Sequence, residues 1–144
     1  MMIAHLHSLT AVLCLVLLCG LAVPLAAAAA GGNESATAPP AASTRCGWFD
    51  NPSPGNADLL DADGSWSVAQ QGGHQAQGDW PTFSGRHWVR TGVGSYGYGC
   101  ACLTGRFDAD SQTVVAIARS RSRPLSACRA DKALQGLEPV NPFK

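Results

Sequence analysis

The chain has 144 residues, with ten basic and ten acidic side chains, so its formal net charge is +0. That length is enough for one domain of ordinary size and short for two. Nucleic-acid-binding proteins usually carry a basic surplus, which is missing here, so we expect no nucleic-acid partner. The hydrophobic share of 46% overstates the apolar content of the domain, because 24 of the first thirty residues are hydrophobic.

Residues 1–30 have the pattern of a secretory signal peptide. A short, mildly polar start precedes an apolar stretch over residues 11–23, and small residues follow Pro24. This order predicts cleavage near Ala28 to Ala30 and a periplasmic or secreted protein. The apolar stretch is shorter than the ~20 residues of a membrane span, so we expect no membrane contact after cleavage. The start has no Lys or Arg, and an uncleaved anchor or lipid attachment at Cys19 is the alternative.

Residues 31–45 predict a flexible linker, and residues 136–144 predict a loose tail. The linker is rich in Gly, Ala, Ser, Thr and Pro and has no apolar periodicity. Such a segment buries too little surface to order itself. The tail contains Pro139 and Pro142. The folded domain is therefore expected over residues 46–135.

The domain reads as a small, β-rich α+β unit with an antiparallel sheet and a short C-terminal helix. Short apolar runs bounded by turns predict strands at 65–71 and 87–90. A β-hairpin is predicted over 99–119, with strands 99–107 and 113–119 joined by the turn cluster 108–111. The last element is a helix over 124–134, which starts with a proline.

Four cysteines remain after signal cleavage: Cys46, Cys100, Cys102 and Cys128. Export and an even count predict two disulfides. A bond between Cys100 and Cys102 would close a very small ring, so each is expected to bond one of the other two. The sequence leaves both such pairings open. A thiol–disulfide protein using Cys100 and Cys102 is an alternative, and it requires free thiols at these positions.

The loop over residues 70–81 contains the main candidates for binding. It combines polar and aromatic side chains with three glycines, and loops carry function more often than strands do. The candidates are His74, Gln75, Asp79 and Trp80. An envelope hydrolase that uses His74 as base and Asp79 to orient it is an alternative, although no nucleophile can be assigned. We therefore predict no catalytic residue.

Charge is unevenly distributed along the domain. Residues 31–80 hold six acidic and one basic side chain, whereas residues 81–144 hold four and nine. Arg121 and Arg123 therefore form a second candidate patch for an anionic partner. No metal or cofactor is expected, because no suitable ligand spacing is present. These features favour a non-enzymatic envelope-binding or inhibitor-like protein, whose partner is an envelope protein or a glycan.

Several uncommon strings resemble a family of small exported bacterial proteins catalogued as domain of unknown function 4087. They are CGWFDNPSPGNADLLDADGSW from Cys46, QGGHQAQGDWP from Gln71, WV at Trp88, YGYGCAC from Tyr96 and RPLSACRAD from Arg123. The resemblance covers residues 46–131, almost the whole predicted domain. It implies export and the four-cysteine framework, and it supplies no catalytic residue.

Overall fold

The computed structural model describes residues 41–144, which form six strands and one short helix. The strands are β1 (Ser43–Ser53), β2 (Asn56–Asp61), β3 (Gly64–Ala69), β4 (Trp88–Arg90), β5 (Gly97–Asp108) and β6 (Thr113–Arg123). Helix α1 (Leu125–Ala130) follows, and 3₁₀ turns occupy Gly85–His87 and Lys132–Leu134. The predicted signal peptide and residues 31–40 of the predicted linker lie outside the described residues. The rest of that linker overlaps β1, whose Ser43 and Thr44 pair with β5.

Five of the strands form a sheet that closes on itself. β1, β2 and β3 are an antiparallel meander, and β5 and β6 are an antiparallel hairpin. β1 also pairs with β5, and β3 pairs with β6, which completes the ring. The three-residue β4 adds to the end of β5. This strand order has the connectivity of an OB fold, which describes topology and does not define a function.

The prediction of a β-rich domain with a C-terminal helix is confirmed, but the antiparallel label is wrong for one strand pair. β3 and β6 are parallel, with Ser67 opposite Thr113. The reason is geometric. If each strand runs opposite to its neighbour, a closed ring of five strands cannot alternate all the way round. One pair must then be parallel, and it lies where the meander meets the hairpin.

The predicted hairpin is confirmed, and the predicted helix is shorter than expected. β5 and β6 pair from Cys100–Arg123 to Asp108–Thr113, with two irregularities that bend the ladder. Helix α1 ends at Ala130, before Asp131. The Asp131 carboxylate accepts a hydrogen bond from the Ala133 backbone N–H, which starts the separate 3₁₀ turn.

β1 and β2 are not among the strands predicted from the sequence. β1 contains Pro52 and alternates poorly between apolar and polar residues, so its pattern does not resemble a strand. The sequence feature that could have indicated the two strands is the turn between them. Pro54-Gly55 lies between the two strands, and Gly55 has φ +68°, a backbone conformation that glycine adopts readily.

Side chains from all five strands fill the interior of the closed sheet. The largest fully buried ones are aromatic or branched, as expected for a small core. This interior cluster comprises Phe49, Ala57, Leu59, Trp66, Val68, Ala69, Ala101, Leu103, Phe107, Val114 and Ile117. A second cluster lies outside the sheet, beneath α1 and the following turn, and contains Trp48, Tyr98, Cys100, Cys128 and Leu134.

Two disulfides connect these layers through β5. Cys46 bonds Cys102 across the β1–β5 pair, and Cys100 bonds Cys128 of α1. This selects one of the two pairings that the sequence left open. The thiol–disulfide hypothesis required free thiols at Cys100 and Cys102, and both sulfurs are bonded. Disulfides of this kind persist in oxidising compartments, which indicates a non-cytoplasmic protein.

The tail is attached to the domain at Glu138. Its carboxylate accepts hydrogen bonds from the Tyr98 hydroxyl at 2.9 Å and from the Arg129 guanidinium at 2.6 Å. Burial and this carboxylate raise the pKa of Tyr98 to about 12. The tail therefore helps to cover the outer cluster at Tyr98.

Candidate functional site

His74 and Gln75 hold the loop that follows β3. The His74 Nε2 lies 2.9 Å from the carbonyl oxygen of Val114, so this nitrogen donates the hydrogen bond. The Gln75 side-chain amide donates to the carbonyl oxygens of Gly55 and Gln70. Both side chains are therefore bonded to backbone groups of neighbouring segments.

Asp79 lies further along the loop, at a different part of β6. It lines a polar depression of about 310 Å³ together with Gly78, Ile117, Ala118, Arg119 and Ser120. His74 instead contacts the carbonyl of Val114. Within residues 41–144, no hydrogen bond or ion pair joins His74 to Asp79. The structure thus does not bring these two candidates into hydrogen-bond contact.

Trp80 lies in a cluster of aromatic rings at one end of the closed sheet. Its ring centroid is 5.7 Å from that of Phe49, in an edge-to-face arrangement. Phe83 lies 6.0 Å from Phe49 and 4.7 Å from Trp88. Trp80, Phe83 and Trp88 are each only partly buried. Aromatic pairs at these distances fix one another's orientation, so the cluster is a preformed surface.

These rings line a groove of about 330 Å³, which we call the aromatic groove. Its volume lies at the lower end of the range typical of ligand pockets. The lining residues are Phe49, Asn51, Trp80, Pro81, Phe83, Gly85, Trp88, Arg90, Gly94 and Ser95. Arg90 and Ser95 are exposed, so a guanidinium and a hydroxyl group lie beside the rings.

Gly99 of β5 allows Phe83 to lie against the strand. A Cβ atom at this position would lie 2.5 Å from Phe83 Cε1 and 2.7 Å from the carbonyl oxygen of His87. Contacts this short require the ring or the backbone to move. Because Gly99 has no side chain, Phe83 can pack against β5 and line the groove.

Of the loop candidates, Trp80 alone lines the aromatic groove. Phe49, Phe83 and Trp88 are not among the site residues predicted from the sequence. A usable signal was the spacing of aromatic residues in WPTFSGRHW, residues 80–88, which also contains four polar or charged residues between them. Phe49 could not have been added from the sequence, because β1 was missed.

Arg121 and Arg123 lie on the outer face of β6, away from the aromatic groove. They are opposite Cys102 and Cys100 of β5, and Arg119 continues the same row opposite Thr104. A shallow depression of about 280 Å³ is lined by Arg119, Arg121 and by Thr44, Cys102 and Thr104. The Arg123 Nη1 lies 3.9 Å from Cys102 Sγ. The predicted patch is therefore a row of three arginines.

Two carboxylates lie opposite each other on β1 and β2. Asp50 faces Asp58 in the strand register, and both are half-buried. Burial raises the pKa of Asp50 to about 6, and the charge of Asp58 adds to this effect. Burial also raises the pKa of Asp58. Within residues 41–144, no group of three or more His, Cys, Asp or Glu side chains could hold a metal ion.

The fold and the groove define a small, disulfide-bonded β domain with a preformed aromatic surface. Residues 40–135 match the family described as "Protein of unknown function (DUF4087)", which confirms the resemblance seen in the sequence. The chain belongs to that family. No curated protein and no solved structure matches the chain. None of the helices in the described part of the chain is long and apolar enough to cross a membrane.

Proposed function

We propose that this chain is an exported, non-catalytic binding domain whose aromatic groove holds a sugar ring of a cell-envelope glycan. The observation that carries the proposal is the partly exposed trio Trp80, Phe83 and Trp88. The apolar faces of sugar rings stack on aromatic side chains, while their hydroxyl groups need polar partners nearby. Arg90 and Ser95 at the groove supply such partners.

Export fits the same proposal. The two disulfides favour an oxidising compartment, and residues 1–30 have the pattern of a signal peptide. An envelope glycan is therefore a ligand that the protein would meet after export. Binding here needs no chemical step, so no nucleophile or metal enters the proposal.

Titration with soluble envelope glycan fragments and an oligosaccharide panel tests the proposal. Tryptophan fluorescence is the readout, because Trp80 and Trp88 line the groove. We expect saturable binding that Trp88→Leu weakens at least tenfold. Arg90→Ala should weaken it several-fold, whereas Arg86→Ala, a neighbouring exposed arginine outside the groove, should not. The proposal fails if no oligosaccharide binds at millimolar concentration, or if both arginine variants bind as the wild type does.

A further inference from the structure

The outer face of the β1–β5–β6 segment carries an unusual row of polar groups across three strands. Thr44 of β1, Thr104 of β5 and Arg119 of β6 are register partners. The next row is Cys46, Cys102 and Arg121. Register partners project from the same face of a sheet. The side chains of Cys46 and Cys102 are small and are bonded to each other. They therefore leave a depression beside the longer side chains of Arg119 and Arg121.

Arg119 and Arg121 are close and exposed; Asp79 lines the neighbouring depression with Arg119 but forms no ion pair with it. They are two residues apart on one strand, a separation of about 6.5–7 Å along the backbone. Within residues 41–144, the ion pairs involve Arg45 and Arg129, and none involves either of these arginines. Two like charges at this separation repel each other. A bound anion would remove that repulsion.

The hydroxyl groups of the first row can add a further donor. Thr44 Oγ1 lies 2.8 Å from Thr104 Oγ1. In such a pair one hydroxyl donates to the other, whose own hydrogen stays available. The depression of about 280 Å³ is thus lined by two guanidinium groups and one free hydroxyl donor. Guanidinium groups bind tetrahedral oxyanions through paired, charge-assisted hydrogen bonds.

We infer that this depression is a binding site for a phosphate group, held by Arg119, Arg121 and the Thr44–Thr104 hydroxyl pair. The phosphate can belong to a free ion or to a phosphodiester polymer of the envelope. The inference is independent of the glycan proposal. The aromatic groove lies near β5 residues 97–99, whereas this site lies at residues 102–104.

Thermal unfolding in inorganic phosphate, at constant ionic strength set with chloride, tests the site. A ligand that binds the folded state raises the melting temperature as its concentration exceeds Kd. We expect the wild type to gain several degrees in phosphate and R119Q/R121Q to gain at most one. The control R86Q/K132Q removes the same charge from exposed positions outside the depression and should respond as the wild type does. Equal responses of the two double variants would overturn the inference, as would an equal effect of chloride.

A second arm identifies the source of the phosphate. Titration with poly(glycerol phosphate) is compared with inorganic phosphate at equal phosphoryl concentration. Tighter binding of the polymer, lost in R119Q/R121Q, assigns the site to a polymer, and equal affinity assigns it to the free ion. T44V/T104V should weaken either ligand several-fold, and unchanged affinity would contradict the role of the hydroxyl pair. R119Q/R121Q should still bind sugar, which separates this test from that of the aromatic groove.

Discussion

Arg45 shows how a single charged side chain is accommodated at the edge of the interior cluster. Its guanidinium lies 3.8 Å from the centroid of the Trp66 ring and donates hydrogen bonds to Asp61 and Asp63. The Asp61 carboxylate also accepts from Trp66 Nε1 at 3.0 Å. Arg45 therefore stacks on the Trp66 ring while its charge is paired with the two carboxylates. This combination explains how a charged side chain can pack over the core.

Asp61 and Asp63 both form ion pairs with Arg45, but their side chains differ greatly in solvent exposure. The side chain of Asp61 is 7% exposed and that of Asp63 is 69% exposed. We expect Asp61→Asn to lower the free energy of unfolding by about 2–3 kcal/mol, because it leaves a partly buried cation without its main partner. Asp63→Asn should change it by less than about 1 kcal/mol, because exposed pairs contribute little. Urea unfolding of both variants is the measurement, and equal losses would contradict this account.

Asp50 makes stability depend on pH near neutrality. Its pKa is raised from 3.8 to about 6 in the folded state, so between these values the folded chain binds more protons than the unfolded chain. Stability therefore falls as pH rises through this range. We expect the free energy of unfolding of the wild type to fall by on the order of 1 kcal/mol between pH 5 and pH 7. Water around the half-buried carboxyl group keeps this change small.

Asp50→Asn is the variant that checks this expectation. It should remove most of the loss and make the protein more stable than the wild type at pH 7. Asp110→Asn, an exposed turn position, should keep the wild-type slope. Urea midpoints are measured above pH 5, because the lowered pKa of Glu138 gives the opposite slope at lower pH. A wild-type slope in Asp50→Asn would show that another group is responsible.

At the scale of elements, the loop after β3 behaves as an irregular substitute for a strand beside β6. Gln77 pairs with β6, since its N–H donates to Val115 and its carbonyl oxygen accepts from Ile117. The backbone at Gly78 lies so close to β6 that a Cβ atom added at Gly78 would lie 2.1 Å from the Ile117 carbonyl oxygen. This contact fixes where Asp79 and Trp80 leave the sheet.

Gly78→Ala tests how far the aromatic groove depends on this loop. Gly72→Ala is the matched control, because both glycines have positive φ but a Cβ at Gly72 meets nothing within 4 Å. Both variants carry the strain of a left-handed alanine, about 1–2 kcal/mol. We expect Gly78→Ala to lower the free energy of unfolding by at least about 2 kcal/mol more than Gly72→Ala does, because of the clash with β6. It should also shift the fluorescence emission of Trp80. Equal losses would mean that the close approach is unimportant.

The sequence predicted the hairpin and the final helix because their signals are local. Alternating apolar residues and the turn at 108–111 lie within one short segment. Closure of the sheet could not be read in this way, because it depends on β1 pairing with β5 some fifty residues later. The aromatic groove was missed for the same reason. Phe49 and Phe83 meet only after that closure, whereas Trp80 was recognisable alone.

At the scale of the whole molecule, the two disulfides hold different parts of the fold. Cys46–Cys102 spans 56 residues and joins two strands of the closed sheet. Cys100–Cys128 spans 28 residues and attaches α1 to β5. Chain entropy assigns each bond about 3.5–4 kcal/mol, a large part of the ~5–15 kcal/mol typical of a small domain.

Removing each bond should therefore give different patterns of amide hydrogen exchange. In C100A/C128A we expect the N–H groups of Ala127 and Leu134 to exchange faster, while the β5–β6 hairpin keeps much of its protection. In C46A/C102A protection should fall throughout the sheet, because β1 closes it. Urea unfolding should show a loss of about 3–4 kcal/mol for each. Faster exchange of α1 alone in C46A/C102A would contradict the assignment.

The disulfide connectivity also has a consequence for biogenesis. Among the four cysteines of residues 41–144, taken in chain order, the first bonds the third and the second bonds the fourth. An oxidase that joined these cysteines in chain order would instead link Cys46 to Cys100 and Cys102 to Cys128. The native bonds then require either folding before oxidation or reshuffling through thiol–disulfide exchange. We expect recovery of native protein from the reduced chain to be faster with a disulfide isomerase than with an oxidant alone.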